Sequence, residues 1–333
     1  MSTSQATIIA FPAAFGENAY IGRSTLRPRF SRGLKISLAL FLTLVLLLMS
    51  AVTGFYAYML YHIQNPPVPA LTSNPLRAIG LPYNDITFAS RDGNVQLEGW
   101  YIPGTTQNTV ILSHGYGGNR EETWVPLYEI AKELNKNRFN VLMFDYSSVN
   151  PRRYVTGGIE ESQELIGAIQ YVKELGDQQI YIWGFSMGAG TALQAALQDS
   201  QDIRGMILDS TFLLDSDTMF HNLQQKVKRL PRLPSIFMLN LLSPLYTGHK
   251  LKEVPINLVK SNNYEMPMFL VHGVKDKVAP VRSITNFYEA HKGNPNTELW
   301  LLDDGQHELI YKFYHKEYMQ KAMEFLDKVS TGG

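Results

Sequence analysis

Three regimes of hydrophobic patterning follow one another along the chain. Residues 36–63 contain no Asp, Glu, Lys or Arg, and residues 38–49 read LALFLTLVLLLM, apolar on every side rather than along one stripe. Such a run is too uniform for an amphipathic surface helix, and it suits a bilayer crossing, which takes roughly 20 residues. Residues 64–82 then carry Pro66, Pro67, Pro69, Pro75 and Pro82, the composition of a semi-rigid spacer. In the third regime, β-prone runs at 85–88 and 95–102 flank Ser90-Arg91-Asp92-Gly93-Asn94, which predicts a hairpin. From there short β-branched runs alternate with longer helix-prone ones. Strands are expected at 109–113, 140–144, 179–183, 205–208, 268–272 and 297–302, and helices at 121–135, 159–175, 187–198, 280–291 and 308–329. That rhythm implies an α/β fold: a doubly wound, mostly parallel sheet with helices on both faces.

Residues 212–267 break the rhythm. Lys226, Lys228, Arg229 and Arg232 precede a proline-punctuated apolar stretch containing Leu233, Ile236, Phe237, Met238, Leu239, Leu241 and Leu242. The insertion stands where a cap over a site would be placed; helices that merely pack on the sheet are the alternative. The organisation expected is a basic tail at 1–33, a transmembrane anchor at 34–62, a Pro-rich linker at 63–83 and an α/β domain at 84–333 with the cap inside it.

Charge orients the anchor. Arg23, Arg27, Arg29, Arg32 and Lys35 precede the apolar run, and no Lys or Arg follows until Arg77. The positive-inside rule places the N-terminus in the cytosol and the bulk of the chain outside it, in contact with the membrane through residues 36–61. Tyr56, Tyr58 and Tyr61 stand where an interfacial aromatic belt would lie. A cleaved signal peptide competes, but its basic region would be unusually long and no Ala-x-Ala site follows the core. The formal net charge of the 333 residues is zero, which gives no electrostatic footprint for nucleic acid. The chain has no cysteine, which excludes disulfides, thiol nucleophiles and thiolate metal sites.

The chemistry centres on Gly184-Phe185-Ser186-Met187-Gly188, between a β-prone run and a small-residue helical run. Glycines two residues either side of the serine let a strand turn directly into a helix with the hydroxyl pointing out of the bend. A serine needs a base, and the base an orienting carboxylate. Asp276 follows His272-Gly273 just after one strand, and His307 follows Gly305-Gln306 just after the last. Both positions fall at the sheet edge where Ser186 falls, and the order Ser, Asp, His fits a doubly wound hydrolase. Asp209, at another strand end, is an alternative acid. His114 and His272 precede glycines and fit turn-shaping roles; His221, His249, His291 and His315 read as surface residues. A zinc helix at His307-Glu308 fails because Tyr311 occupies the position of the second histidine. Two N–H donors would hold a developing oxyanion, namely Met187 at the helix start and Tyr116 in His114-Gly115-Tyr116-Gly117-Gly118-Asn119. That loop lacks the Gly-Lys-Ser/Thr ending of a phosphate loop. No cofactor or metal is required.

The His-Gly loop at His114, Gly-Phe-Ser-Met-Gly at Ser186, His-Gly-x-x-Asp at Asp276 and Gly-x-His at His307 occur in that order. Over residues 84–329 the chain resembles the α/β-hydrolase superfamily, in the branch of monoacylglycerol lipases, serine aminopeptidases and membrane-anchored depalmitoylase-like hydrolases. The resemblance implies a serine hydrolase working through an acyl-enzyme on an acylated small molecule or lipid. Thioesterase, aminopeptidase and non-catalytic binding roles are the alternatives. One departure stands out: relatives carry Asp-Tyr-Arg-Gly-x-Gly-x-Ser where this chain has Asp145-Tyr146-Ser147-Ser148-Val149-Asn150-Pro151. That loop borders the active site in the family, so substrate preference does not carry over. No protein partner is specified.

Overall fold

The computed structural model describes residues 31–176 and 178–331. The basic residues Arg23, Arg27 and Arg29 lie outside the described residues. The chain divides at residues 50 and 51 into two compact units. Helix α1, Arg32–Gln64, carries the apolar run, and its residues 32–50 are all exposed. An 18-residue window of this helix reaches a mean hydropathy of 2.5, long and apolar enough to cross a membrane.

Within the second unit one face of the last turns of α1 is buried against protein. Tyr56, Met59, Leu60 and Gln64 are buried. The belt expectation fails for Tyr56, whose hydroxyl bonds Ser235 Oγ at 2.8 Å in a buried setting. Tyr61 packs against Tyr154 and Tyr246, and Tyr246 donates to the Ala57 carbonyl at 3.1 Å. The Pro-rich segment is held against the domain by hydrogen bonds. The Gln64 carbonyl accepts from Val155 N–H at 2.7 Å, Asn119 Nδ2 donates to the Pro69 carbonyl at 2.8 Å, and Thr72 N–H donates to Glu121 at 2.6 Å. A short helix α2, Pro75–Ile79, follows, capped by Asn74.

The sheet begins with the expected hairpin, β1 (Asn84–Ala89) and β2 (Gln96–Ile102), paired antiparallel. Then come β3 (Asn108–Ser113), α3 (Leu127–Lys136), β4 (Asn140–Phe144), α4 (Ile159–Glu174), β5 (Gln179–Phe185), α5 (Met187–Gln198) and β6 (Ile203–Asp209). The order across the eight-stranded sheet is β1-β2-β4-β3-β5-β6-β7-β8. Its last two members are β7, Met268–Gly273, and β8, Thr297–Leu302. All pairings from β4 onward through β3 to β8 are parallel, while β2 runs antiparallel to both its neighbours. Central strands β4 and β7 are buried throughout, which explains their unbroken apolar runs. One core cluster gathers Leu165, Ile182, Leu193 and Leu270; the other gathers Val110, Trp183, Phe269 and Phe325.

Between β6 and β7 lie four helices: α6 (Ser216–Lys226), α7 (Arg232–Leu242), α8 (Pro244–Thr247) and α9 (Ile256–Ser261). Leu223, Leu239 and Leu242 form a small separate core with Tyr56, Met59 and Leu60 of α1. After β7 come α10, Val281–His291, and α11, Ile310–Thr331, kinked at Tyr314. Helix α3 starts six residues later than expected because residues 120–126 form turns instead. His291, expected at the surface, is buried. Its ring bonds the Phe287 and Asn262 carbonyls at 2.7 and 2.8 Å and stacks on Phe287.

Candidate active site

Only Ser186 stands between strand β5 and helix α5, and the bend falls on it at φ 49°, ψ −110°. A non-glycine residue so held costs of order 1–3 kcal/mol, and the surroundings must enforce it. They do: Ser186 N–H donates to the Asp209 carbonyl at 2.9 Å, and its own carbonyl accepts from Gly190 and Phe212 at 3.1 Å each. The flanking glycines are sterically required. A Cβ at Gly184 would lie 2.7 Å from the Ala189 backbone, and one at Gly188 would overlap the Ser113 carbonyl.

The structure brings Ser186, His307 and Asp276 into one line. Ser186 Oγ lies 2.7 Å from His307 Nε2, and His307 Nδ1 lies 2.7 Å from Asp276 Oδ2. The other carboxylate oxygen of Asp276 accepts from Val278 and Ala279 N–H, both at 2.8 Å, which fixes its plane. His272 supports the same turn by bonding the Ala279 carbonyl at 2.9 Å. Burial alone would push His307 down. The Asp276 hydrogen bond and the nearby charges of Glu308, Asp276 and Asp209 outweigh it and hold His307 above its ordinary value of 6.5. Burial pushes His114 down to about 4 and keeps it neutral; its ring accepts from Tyr146 N–H at 3.2 Å.

Asp209 is not brought to His307. It accepts from Tyr318 Oη at 2.7 Å and Ser210 Oγ at 2.8 Å, and burial pushes its carboxyl up to about 6. It acts instead as the floor beneath the bend.

Met187 is the first residue of α5, so its N–H stands outside the helix's own ladder. Tyr116 sits in the turn closed by Gly118 N–H on the Gly115 carbonyl at 3.2 Å. Both residues line, with Ser186 and His307, a cavity of about 380 Å³. Its walls are mostly apolar: Val155, Phe212, Leu214, Met219, Leu223, Leu251 and Val278, closed at one side by Ile63 and Gln64 of α1. Tyr116 Oη donates to the Ile63 carbonyl at 2.8 Å, joining the loop to the end of α1. The divergent loop after β4 takes another course. Asn150, Arg152, Arg153 and Tyr154 line a second, polar cavity, and only the residues just after them, Val155 to Gly157, reach the first. A hydroxyl bonded to a buried imidazole, itself bonded to a fixed carboxylate, lowers the barrier to attack on a carbonyl carbon.

Sequence reasoning missed two groups here. Ile63 and Gln64 fall in the expected linker, and nothing local marks them as cavity wall. Glu308 and Glu122 flank the site as buried carboxyls, and the one signal for Glu308 was its place directly after His307.

A family model for the alpha/beta hydrolase fold matches residues 108–246. The uncharacterized protein YqkD of Bacillus subtilis (strain 168) is 26% identical over 241 residues, 70% of this chain and 76% of that protein. Among solved structures, the Pyrococcus furiosus esterase Pf2001 aligns at a TM-score of 0.65 and 27% identity, over 80% of this chain and 98% of that one. The Pyrococcus horikoshii acylaminoacyl peptidase shares the fold at a TM-score of 0.55 and 18% identity, over 74% of this chain and 41% of that one. These neighbours support a hydrolase. The matched segment, the strand order and the strand-to-helix bend at Ser186 together show that the chain has the alpha/beta hydrolase fold.

Proposed function

We propose that the protein is a membrane-anchored serine hydrolase that cleaves a carboxylic ester of an acylated amphiphile. The observation that carries this reading is the hydrogen-bonded line Ser186–His307–Asp276 at the wall of an apolar cavity. Ser186 Oγ attacks the ester carbonyl while His307 Nε2 takes its proton, and Asp276 steadies the imidazolium. The Tyr116 and Met187 N–H groups hold the oxygen that becomes negative. The intermediate collapses, the C–O bond to the alcohol breaks, and His307 returns the proton to the leaving oxygen. Water, deprotonated by His307, then cleaves the acyl-serine and releases the acid.

The character of the cavity narrows the substrate. Its mostly apolar walls suit the acyl part of an ester, and Ser186 stands at one side of it. Each buried methylene contributes about 0.8 kcal/mol. The outer face of the insertion fits a lipid surface as well. Leu233, Phe237, Leu241 and Leu245 are exposed at four-residue spacing beside Lys226, Lys228, Arg229 and Arg232. A basic group next to a bulky apolar stripe suits an anionic interface. The exposed part of α1 supplies the anchor, with the N-terminus cytosolic and the hydrolase domain extracytoplasmic by the positive-inside rule.

Three measurements test this. A fluorophosphonate should label Ser186, forming the Oγ–P bond and expelling fluoride, with Ser186→Ala unlabelled. kcat/KM for p-nitrophenyl esters from acetyl to palmitoyl, beside aminoacyl amides, should rise with chain length above acetyl. A maximum at acetyl removes the amphiphile, and faster amide cleavage makes the protein a peptidase. Protease added outside intact cells, with any outer membrane permeabilised, should reach the domain; digestion only after lysis reverses the orientation.

A further inference from the structure

The serine hydrolase mechanism uses His307, yet the residue beside it is the more unusual one. Glu308 is a non-glycine residue at φ 56°, nearly buried, and its N–H donates to Ser210 Oγ at 2.9 Å. Its Oε2 accepts from Trp124 Nε1 at 2.8 Å, while Oε1 has no partner among the described residues. That free oxygen lies against Gly115, where a Cβ would overlap it. A second buried carboxyl closes on the same glycine. Glu122 Oε2 accepts from Gly115 N–H at 2.9 Å, and its Oε1 is likewise without a partner among the described residues. A Cβ at Gly118 would run into Glu122 in the same way. Two carboxyl groups, one from the turn carrying His307 and one from the segment joining β3 to α3, thus grip the residue before Tyr116.

We propose that Glu308 is a positioning residue: with Glu122 it clamps Gly115, tying the His307 turn to the Tyr116 N–H so that base and oxyanion donor keep one register. This rests on the serine hydrolase reading above. The clamp explains features the triad leaves idle. It requires a left-handed residue after His307, bare glycines at 115 and 118, and a Trp124 indole aimed inward. It also makes the register depend on protonation. Glu308 faces His307, Asp276 and Asp209 as well as Glu122, and Glu122 faces Glu308 and Asp209. Like charges in a dry site do not ionise together. Burial pushes Glu308 up to about 7, and burial together with the Glu308 charge holds Glu122 well above the ordinary carboxylate range. Near neutral pH the pair therefore retains a proton. Once both carboxyls ionise, their repulsion pries the two turns apart. The charge on Glu308 also raises His307.

The test is the rate of fluorophosphonate labelling of the full chain in detergent, from pH 5 to 10, for wild type, Glu308→Gln, Glu308→Ala and Glu122→Gln. Glu308→Ala should label about tenfold to a hundredfold more slowly on the plateau, the scale of a misplaced reacting group. Glu308→Gln should recover most of that loss, because its amide keeps the Trp124 bond. It should also move the acid limb to lower pH by roughly half a unit or more, because the charge that raises His307 is gone. Glu122→Gln should relieve the decline at alkaline pH. An acid limb in Glu308→Gln that coincides with wild type overturns the proposal, whether or not Glu308→Ala folds, and so does a wild-type plateau in folded Glu308→Ala. Absence of labelling in the wild type sinks the hydrolase reading instead, so the two failures are separable.

Discussion

The bend at Ser186 and the insertion over it solve opposite problems. At the bend, position is set by backbone. Three main-chain hydrogen bonds to Ser186 and two glycines that admit no side chain leave the hydroxyl one direction to face. In the insertion, position is set by side chains. Four helices, two of them a turn or so long, are held through a small core that borrows Tyr56, Met59 and Leu60 from α1. The lesson is that the direction of the serine is fixed locally, whereas the wall of the cavity beside it is assembled by contacts between distant segments. Removing the hydroxyl at the bend should alter rate and leave stability nearly intact; emptying the core of the insertion should cost stability and change which acyl chains are accepted.

The largest effect falls on the backbone-set side. Ser186→Ala should remove about 10⁶ in kcat on an activated ester with the melting temperature within a few degrees, because nucleophile and base act as a unit. Residual activity near wild type would break the comparison at its root. Asp276→Asn should cost about 10⁴, and Asp209→Asn far less, since Asp209 bonds Tyr318 and Ser210 rather than His307. The opposite ranking would exchange their roles.

On the side-chain-set half, Leu239→Ala empties a fully buried position in the shared core. It should cost about 2–5 kcal/mol in denaturant unfolding, and lower kcat/KM for decanoyl more than for acetyl esters. Equal losses on both would show that the insertion does not shape the pocket. A gentler probe is pH. His307 is held above 6.5, and a base works only when deprotonated, so kcat/KM should fall as pH drops through a midpoint above 6.5. A midpoint below that value would mean burial wins over Asp276. The smallest effect belongs to the exposed stripe. Phe237→Ser, at 63% exposure, should shift stability by no more than about 0.5 kcal/mol. It should nevertheless weaken binding to anionic vesicles in a sedimentation assay.

The same division decided what could be read from the sequence. Strands β4 and β8 and helix α5 fall at the expected residues, because an unbroken apolar run or a glycine-bounded turn is a local signal. Ser186, Asp276 and His307 were each legible at the end of a strand, and they do meet. The destination of Tyr56 was not legible: nothing near it says that its hydroxyl bonds a serine 179 positions away. Glu122 hid for a related reason. It reads as the first turn of a helix, yet residues 120–126 fold inward as turns and place it under Gly115. His291 looked like a polar helix residue until two carbonyls and the Phe287 ring enclosed it.

The bonds from Tyr56 to Ser235 and from Gln64 to Ser243 each span 179 positions, and this has a consequence in time. At about 5–20 residues per second, synthesis of the intervening chain takes roughly 10–35 s. Throughout that interval the last turns of α1 exist without the partners that bury them. Met59 and Leu60 must wait uncovered while strands β1 to β6 are still being made. Helix α1 precedes every strand in the chain, yet its last turns are among the last pieces to find their place.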